Sequence, residues 1–309
     1  MSAPIAVVGS LNMDFVVQVE RLPQPGETVL GSGFVTLPGG KGANQACAAG
    51  RLGGRVRMLG RVGDDVFGRQ LEDSLASAGV ETRAVRVSAA TATGVALIFV
   101  EAGGQNQIVV ASGANALLSP EDVESELAAG EGLLLAQLET PLPTIERAVG
   151  LASGRGMTVV LDPAPARPLP DALLAQVSLL TPNESEAMVL LDRRGASVSL
   201  AEAPEVAKAL LKRGPRAVIL KLGEQGAYLA DGSGGRHFPG FQVKAVDATA
   251  AGDTFAGALG TALAEGRTLA EAIPFANAAA ALSVTRLGAQ ASMPSRPEVD
   301  ALVASRPRS

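Results

Sequence analysis

One cysteine, one histidine, one tyrosine and no tryptophan occur among the 309 residues of the chain. Each scarcity closes a class of chemistry. Cys47 has no second cysteine with which to form an intrachain disulfide, so a reducing compartment, the cytoplasm, is expected. A single histidine excludes a His-rich zinc site, and a single cysteine excludes a Cys cluster. Ser–His–Asp catalysis would have to use His237, which lies in SGGRHFPG and reads as a turn. With aromatics at 3%, stacking platforms for bases are few. No apolar run reaches the ~18 residues of a membrane span. MSAPIAVVGS lacks a basic segment followed by an apolar one, so no secretory signal is expected. The net charge of −5 argues against a nucleic-acid-binding surface. An enzyme of this composition is left with carboxylates, amides, backbone N–H groups and a hard cation.

What is present is alternation. Apolar runs at Ile5–Val8, Arg57–Val62, Leu133–Leu138, Thr158–Leu161, Val177–Leu180 and Ala217–Leu220 read as buried strands. Helical stretches lie between most of them, at Gly42–Arg51, Phe67–Ala78, Pro120–Leu127, Leu142–Ala152, Glu184–Leu191 and Pro204–Lys212. This predicts an α/β fold with a mostly parallel, Rossmann-like central sheet flanked by helices. Two helical segments, Thr254–Glu265 and Leu269–Arg286, end the chain's last third, and Pro274 should kink the second or restart it. Phe15–Leu37 and Thr91–Ala111 break the alternation, because each reads as antiparallel strands with no helix between them. They predict a small apolar sheet, either a decorated edge or, as we favour, a lid over a site and a clasp between subunits. The expected organisation is one domain over 1–309 with a lid from about 15–37 and 91–111.

In an open parallel sheet, ligands bind beyond the carboxyl ends of the strands. The residues there are Gly9-Ser10-Leu11-Asn12-Met13-Asp14, Glu139, Asp162, Thr181-Pro182-Asn183 with Glu186, and Lys221-Leu222-Gly223 with Gly226. Any one of them reads equally as a cap or turn residue; several at one edge point to a site. Pro38-Gly39-Gly40-Lys41-Gly42-Ala43-Asn44 lets backbone or ligand approach closely before a helix. It is not a Walker A loop, since Gly42 follows Lys41, nor a dinucleotide fingerprint, since Gln45 holds the third glycine position. Asp247-Ala248-Thr249-Ala250-Ala251-Gly252-Asp253 opens an apolar helix. Free N–H groups at such a start attract an anion, and a carboxylate there can take a proton from a hydroxyl. Equally, Asp253 could serve only the helix dipole.

GSLNMD, GGKGANQA, TPNESE and DATAAGDTFAGAL occur in that order, followed by FANAAAALSVTRLGAQASMP. In these motifs the chain resembles the ribokinase-like (pfkB) carbohydrate kinase family, from about residue 4 to residue 303. GSLNMD with GGKGAN is closest to the branch that phosphorylates ribose. The resemblance implies transfer from ATP, with Mg²⁺, to the 5-hydroxyl of D-ribose. It implies Asp253 as general base and the backbone N–H groups of Ala250, Ala251 and Gly252 as the anion hole. Asn12, Met13 and Asp14, the segment Gly40, Lys41, Gly42, Ala43 and Asn44, and Glu139 match sugar-binding positions. Asn183 and Glu186 match a nucleotide- and Mg²⁺-linked pair. Lys221, Leu222, Gly223, Glu224, Gln225 and Gly226 match the loop beside the nucleotide, and Asn277 a contact near the adenine. Asp247, Thr249, Ser283, Arg286, Gly288 and Ser292 match a site for a monovalent cation, K⁺, held largely by backbone carbonyls. Ala248 departs from a common Thr, and Lys221 from a common neutral residue. A homodimer through the β lid is expected, with no nucleic-acid or membrane partner. Rival readings are a kinase of deoxyribose, another pentose or a nucleoside, for which Asn12 is the discriminating residue, and a non-catalytic sugar sensor. A nicotinamide dehydrogenase fails for want of the fingerprint.

Overall fold

The computed structural model describes residues 2–306 except 102, 104–105, 128–131, 194 and 196–197. In chain order the first half contains β1 (Pro4–Val8), β2 (Asn12–Val19), β3 (Gly31–Gly39), α1 (Lys41–Arg51), β4 (Arg55–Gly63), α2 (Val66–Ser77), β5 (Val85–Ser88), β6 (Gly94–Glu101), β7 (Asn106–Ala111) and α3 (Pro120–Glu126). There follow β8 (Leu133–Ala136), α4 (Leu142–Gly154), β9 (Thr158–Leu161), α5 (Asp171–Leu174), β10 (Leu179–Leu180), α6 (Glu184–Leu190), α7 (Ala203–Leu211) and β11 (Ala217–Lys221). The last elements are β12 (Ala227–Asp231), β13 (Gly234–Phe238), α8 (Ala251–Ala264), α9 (Leu269–Ser283) and α10 (Arg296–Ala304).

Nine strands form one sheet in the order β13-β12-β11-β10-β9-β8-β1-β4-β5. It is parallel from β11 to β5, and β12 and β13 close one edge antiparallel. Successive side chains of a strand point to opposite faces. Accordingly Ile5, Val7, Leu133, Leu135 and Ile219 enter one core under α1, α8 and α9. Ala6, Val8, Leu134, Ala136, Val218 and Leu220 enter the other, under α4, α6 and α7. Both faces are covered, which is why the strands are apolar throughout rather than alternating. The order reverses between β1 and β8, so their carboxyl ends frame the switch point where doubly wound sheets bind ligands.

The second sheet has the order β3-β2-β6-β7. The expectation of a wholly antiparallel sheet is corrected here. Each hairpin is antiparallel, but β2 and β6 pair parallel, from Asn12 opposite Gly94 to Val19 opposite Glu101. Both strands leave the main sheet in the same direction, so joining first strand to first strand can only be parallel. Asp65 fixes the root of the second hairpin. It accepts from Thr93 N, Thr93 Oγ1 and Gly68 N at 2.7–2.8 Å while capping α2. Val35 and Ile108 lie on one pleat face of this sheet, Phe34 and Val109 on the other, and all four are more than half exposed. Residues 102 and 104–105 of the expected lid lie outside the described residues.

Three further expectations are corrected. His237 lies on the edge strand β13, not in a turn, and its Nε2 donates to the Gln225 carbonyl at 2.7 Å. α9 runs through Pro274 without a restart and stops at Ser283 rather than Arg286. The proline removes one hydrogen bond close to the helix start, while buried Ile273, Phe275 and Ala276 hold the backbone on course. β8 ends at Ala136, because the Leu138 N–H turns to the Ala164 carbonyl, and Gln137 is thereby released from the ladder at the switch point.

Candidate active site

α1 and α8 are built from small residues so that they can cross closely. Ala43, Ala46, Ala48 and Ala49 on α1 are fully buried. A Cβ on Gly257 of α8 would stand 2.6 Å from the Gln45 carbonyl oxygen and 2.7 Å from the Ala48 Cβ, inside contact distance. The crossing sets the α8 N-terminus over the α1 N-terminus. There Asn44 Nδ2 donates to Asp253 Oδ2 at 3.0 Å and Gln45 Nε2 to Asp253 Oδ1 at 3.2 Å. Ala250, the residue before α8, is left-handed at φ 57°, which turns the Ala248–Gly252 backbone into the helix start. Asp253, Gly252, Ala251 and Ala250 all line one cleft with Lys41.

That cleft has a volume of about 520 Å³ and runs along the carboxyl ends of β9, β10 and β11. Lys41, Asp162, Asn183, Glu186, Lys221 and Asp253 are its polar end; Phe241, Val243, Ala280, Ala281 and Val284 are its apolar end. Asn183 caps α6 in a capping box with Glu186, whose two oxygens accept from Asn183 N and Nδ2 at 2.8 and 2.9 Å. Lys221 Nζ donates to Asp162 Oδ1 at 2.8 Å and lies 4.0 Å from Glu186. Asn277 donates to the Phe238 and Pro239 carbonyls, which ties α9 to the loop after β13. Gly223, Glu224 and Gly226 line the cleft, whereas Leu222 is buried in the core and Gln225 faces His237.

Beside the switch point lies a second polar group. Glu139 accepts from Ser10 Oγ at 2.6 Å and from the Lys41 N–H at 3.0 Å. Asn12 Oδ1 accepts from Asn115 Nδ2 at 2.8 Å, and Asn115 also bridges both backbone groups of Leu11. Gly40 has φ 86°, and a Cβ there would meet Asn12 N at 2.6 Å, so only glycine allows this approach. Met13 and Ala43 point into the core and can offer only backbone.

Charge is concentrated here. Burial raises the Asp14 carboxyl to about 7, with Glu139 and Asp253 adding to it and Lys41 opposing. Burial also raises Asp253; Lys41 opposes this, Asp162 adds to it, and the bonds from Asn44 and Gln45 pull it back. Burial alone would lower Lys41, but Asp253, Asp162, Glu139 and Glu186 outweigh it and hold the ammonium above the ordinary lysine range. The expected cation residues form a separate loop pair. Asp247 accepts from Thr249 N, Thr249 Oγ1 and Gly288 N at 2.6–2.9 Å. Ser283 and Ser292 bond to carbonyls within their own turns, and Arg286 pairs with Glu298. Those three side chains are thus committed elsewhere. Among the described residues no group of three or more His, Cys, Asp or Glu side chains is placed to hold a metal ion.

Four residues outside the expected site belong to it: Asn115, Gln45, Gln137 and Gln290. Gln45 stands inside the glycine-rich motif, but nothing in one sequence marks Asn115, Gln137 or Gln290, since a buried amide is legible only from its partners.

A doubly wound sheet with a cleft at its carboxyl ends and a carboxyl group buried in it is built to take a small ligand. A family model described as "pfkB family carbohydrate kinase" matches residues 2–296. The chain is 42% identical over 301 residues to the ribokinase of Haemophilus influenzae, covering 96% of this chain and 97% of the relative. It is 37% identical over 294 residues to a deoxyribokinase of Salmonella typhi, covering 94% and 95%. The structure of Arabidopsis thaliana ribokinase complexed with ribose and ATP superposes with a TM-score of 0.89 at 34% identity, covering 98% of this chain and 99% of that one. The chain belongs to the pfkB family of carbohydrate kinases.

The buried charge at Asp14 has a cost that depends on pH. Between the usual 3.8 and about 7 the folded protein keeps a proton that the unfolded chain has released. The stability this group contributes is therefore present below pH 4 and is lost as pH rises through 7. Asp14→Asn should match the parent near pH 4 and exceed it by ~1–3 kcal/mol at pH 8, allowing for the partial exposure of the group. Urea denaturation at the two pH values checks this; a gap that does not change with pH would contradict it.

Proposed function

We propose that this carbohydrate kinase is a ribokinase: ATP and D-ribose give D-ribose 5-phosphate and ADP, in the cytoplasm. The observation that carries the reading is the placement of Asp253. Its carboxylate sits at the N-terminus of a helix, in the cleft, with Lys41 alongside. In the proposed reaction Asp253 takes the proton as the 5-hydroxyl oxygen attacks the γ-phosphorus. The N–H groups of Ala250, Ala251 and Gly252, with Lys41, stabilise the charge on the moving phosphoryl group, and ADP leaves along the cleft. Asn12, Asp14, Glu139 and the Gly40–Asn44 segment hold the other hydroxyls, since carboxylates and amides offer paired acceptors and donors. The apolar end at Val243, Ala280, Ala281 and Val284 takes the adenine, near Asn277, and Asn183 and the Lys221–Gly226 loop flank the phosphates.

The donor set at the polar end fits Mg²⁺. This ion keeps several waters and binds through one or two carboxylates plus substrate phosphates, and Glu186 supplies such a carboxylate beside Asn183. When bound it neutralises charge on the nucleotide phosphates. The Asp247–Thr249 and Ser283–Ser292 segments would hold a monovalent cation through backbone carbonyls, an all-oxygen set, since their serine and arginine side chains are engaged and the Asp247 carboxylate is held by Thr249 and Gly288. Such an ion would order the loop that carries the anion hole without touching substrate.

Deoxyribose is the second reading, favoured by the 37% identity to a deoxyribokinase. Against it, Asn115 engages the Asn12 carbonyl oxygen and leaves the Asn12 N–H donors for a 2-hydroxyl.

The four-stranded sheet, in this proposal, closes over the sugar with one face and meets its copy in a second subunit with the other. Phosphoryl transfer to a sugar must exclude water, and apolar residues are exposed on both faces. A two-fold contact would cover the outer one.

ADP release measured across pentoses, deoxyribose, hexoses and nucleosides should be fastest with D-ribose. Asp253→Asn should lose at least ~10²–10⁴-fold in kcat while still binding ribose; near-normal turnover would remove the assignment of the base. With K⁺ the enzyme should run faster than with Na⁺, and slowest with tetramethylammonium as sole monovalent cation; full activity there would mean no cation site. Light scattering should give a dimer at micromolar concentration, and ribose should slow hydrogen exchange in 15–37 and 91–111. An active monomer, or unchanged exchange, would remove the clasp or the lid respectively.

A further inference from the structure

Asp253 is aimed by amides, and the amides are themselves aimed. Each of its oxygens takes one hydrogen bond, Oδ2 from Asn44 and Oδ1 from Gln45, consecutive residues of α1. A side-chain amide can present either its oxygen or its NH₂ group by turning over, and only NH₂ is acceptable to a carboxylate. Gln45 must present NH₂ to two carboxylates at once, since the same nitrogen donates to Asp162 Oδ2 at 3.0 Å. What selects that orientation is Gln137, whose Nε2 donates to Gln45 Oε1 at 2.7 Å. Gln290 plays the matching part for Asn44, donating to its Oδ1 at 3.3 Å. Gln45 and Gln137 are both essentially inaccessible, and neither lines the cleft. Gln137 makes its bond although its own Oε1 is then buried without a partner. An unpaired buried carbonyl costs free energy, so self-satisfaction does not account for the side chain's orientation; the orientation it imposes on Gln45 does.

We infer that Gln45 and Gln137 form a positioning pair for phosphoryl transfer: Gln137 fixes the orientation of the Gln45 amide, which holds one oxygen of Asp253 and ties it to the Asp162–Lys221 ion pair. The inference rests on the assignment of Asp253 as the base. Neither glutamine touches the reacting atoms. Their work is to keep the carboxylate from rotating, so that its free lone pair faces the hydroxyl.

Gln45→Met and Gln137→Met, alone and together, test this by kcat, sugar KM, the pH profile of kcat/KM and Tm. Gln45→Met should lower kcat by about 10²-fold, the usual size of a small misplacement of a catalytic group, with sugar KM within about threefold. The acid limb of the profile should move to higher pH, because a hydrogen bond to the ionised carboxylate is lost. The charged groups that face Asp253, namely Lys41 of α1, Asp162 after β9 and Asp14 of β2, stay in place in every variant. Gln137→Met should lower kcat by about tenfold, in the same direction on every readout, and add nothing to Gln45→Met in the double variant. A lower Tm with unchanged kcat and pH profile would show a purely structural pair and overturn the inference, as would fully additive losses. If Gln45→Met does not fold, Gln137→Met alone decides. An inactive Asp253→Asn beside a fully active Gln45→Met would remove the pair and leave the base; an active Asp253→Asn would remove both.

Discussion

Helices α1 and α8 cross with almost nothing between them, and the geometry of the site depends on that closeness. Alanines on one helix and Gly257 on the other reduce the separation until a single added Cβ would overlap backbone. Apolar packing of this kind is non-directional, yet here it fixes polar chemistry. It brings two helix N-termini, from residues 41 and 251, to the same place and lays Asn44 and Gln45 against Asp253. Both helices start there without a side-chain cap. Their dipoles therefore point at one volume, a setting that favours an anion, while the first α1 N–H groups, of Lys41, Gly42 and Ala43, already donate to Glu139 and Ser10.

Around that volume the protein gathers five carboxylates, of which Asp162, Glu186 and Asp253 are buried and Asp14 and Glu139 half-buried, with two ammonium groups, Lys41 and Lys221. Such a group is tolerable only if its members are bonded. Ser10 and the Lys41 N–H serve Glu139, the α6 cap serves Glu186, Lys221 serves Asp162, and the amides serve Asp253. Asp14 accepts no such bond from the described residues, and burial beside Glu139 and Asp253 raises its carboxyl to about 7. It also abuts Gly39, where a Cβ would overlap its Oδ2 at 2.2 Å.

The sheet was legible in the sequence because parallel strands buried on both faces must be apolar end to end, and runs such as Ile5–Val8 and Thr158–Leu161 have no other use. The candidate site was legible because chemistry at strand ends and helix starts leaves motifs contiguous in the chain. The pairing of β2 with β6 was not, since nothing local to Phe15 or Leu97 states which strand of a distant hairpin it will meet. β12 and β13 were missed for a related reason: Gly-rich SGGRHFPG carries turn composition, and only its place beside β12 makes it a strand. The amides were the hardest. Gln137 falls inside the run Leu133–Leu138 that reads as a buried strand, and it becomes meaningful only when β8 ends early and delivers it to Gln45.

The same burial that makes Asp14 costly prepares it for a hydroxylated ligand. In the free site its carboxyl is near the midpoint of titration at neutral pH, because burial disfavours the charged form and Glu139 and Asp253 add to the effect. Sugar hydroxyls, in the proposed assignment, are neutral groups that donate to the ionised form. They would supply what the apolar surroundings withhold without adding charge beside Glu139 and Asp253. Stability forgone in the empty fold thus reappears as differential affinity for a polyol over water-exposed alternatives. The β2 strand that carries Asp14 continues into the small sheet, so the group that gains most from the sugar is joined by backbone to the element that would close over it.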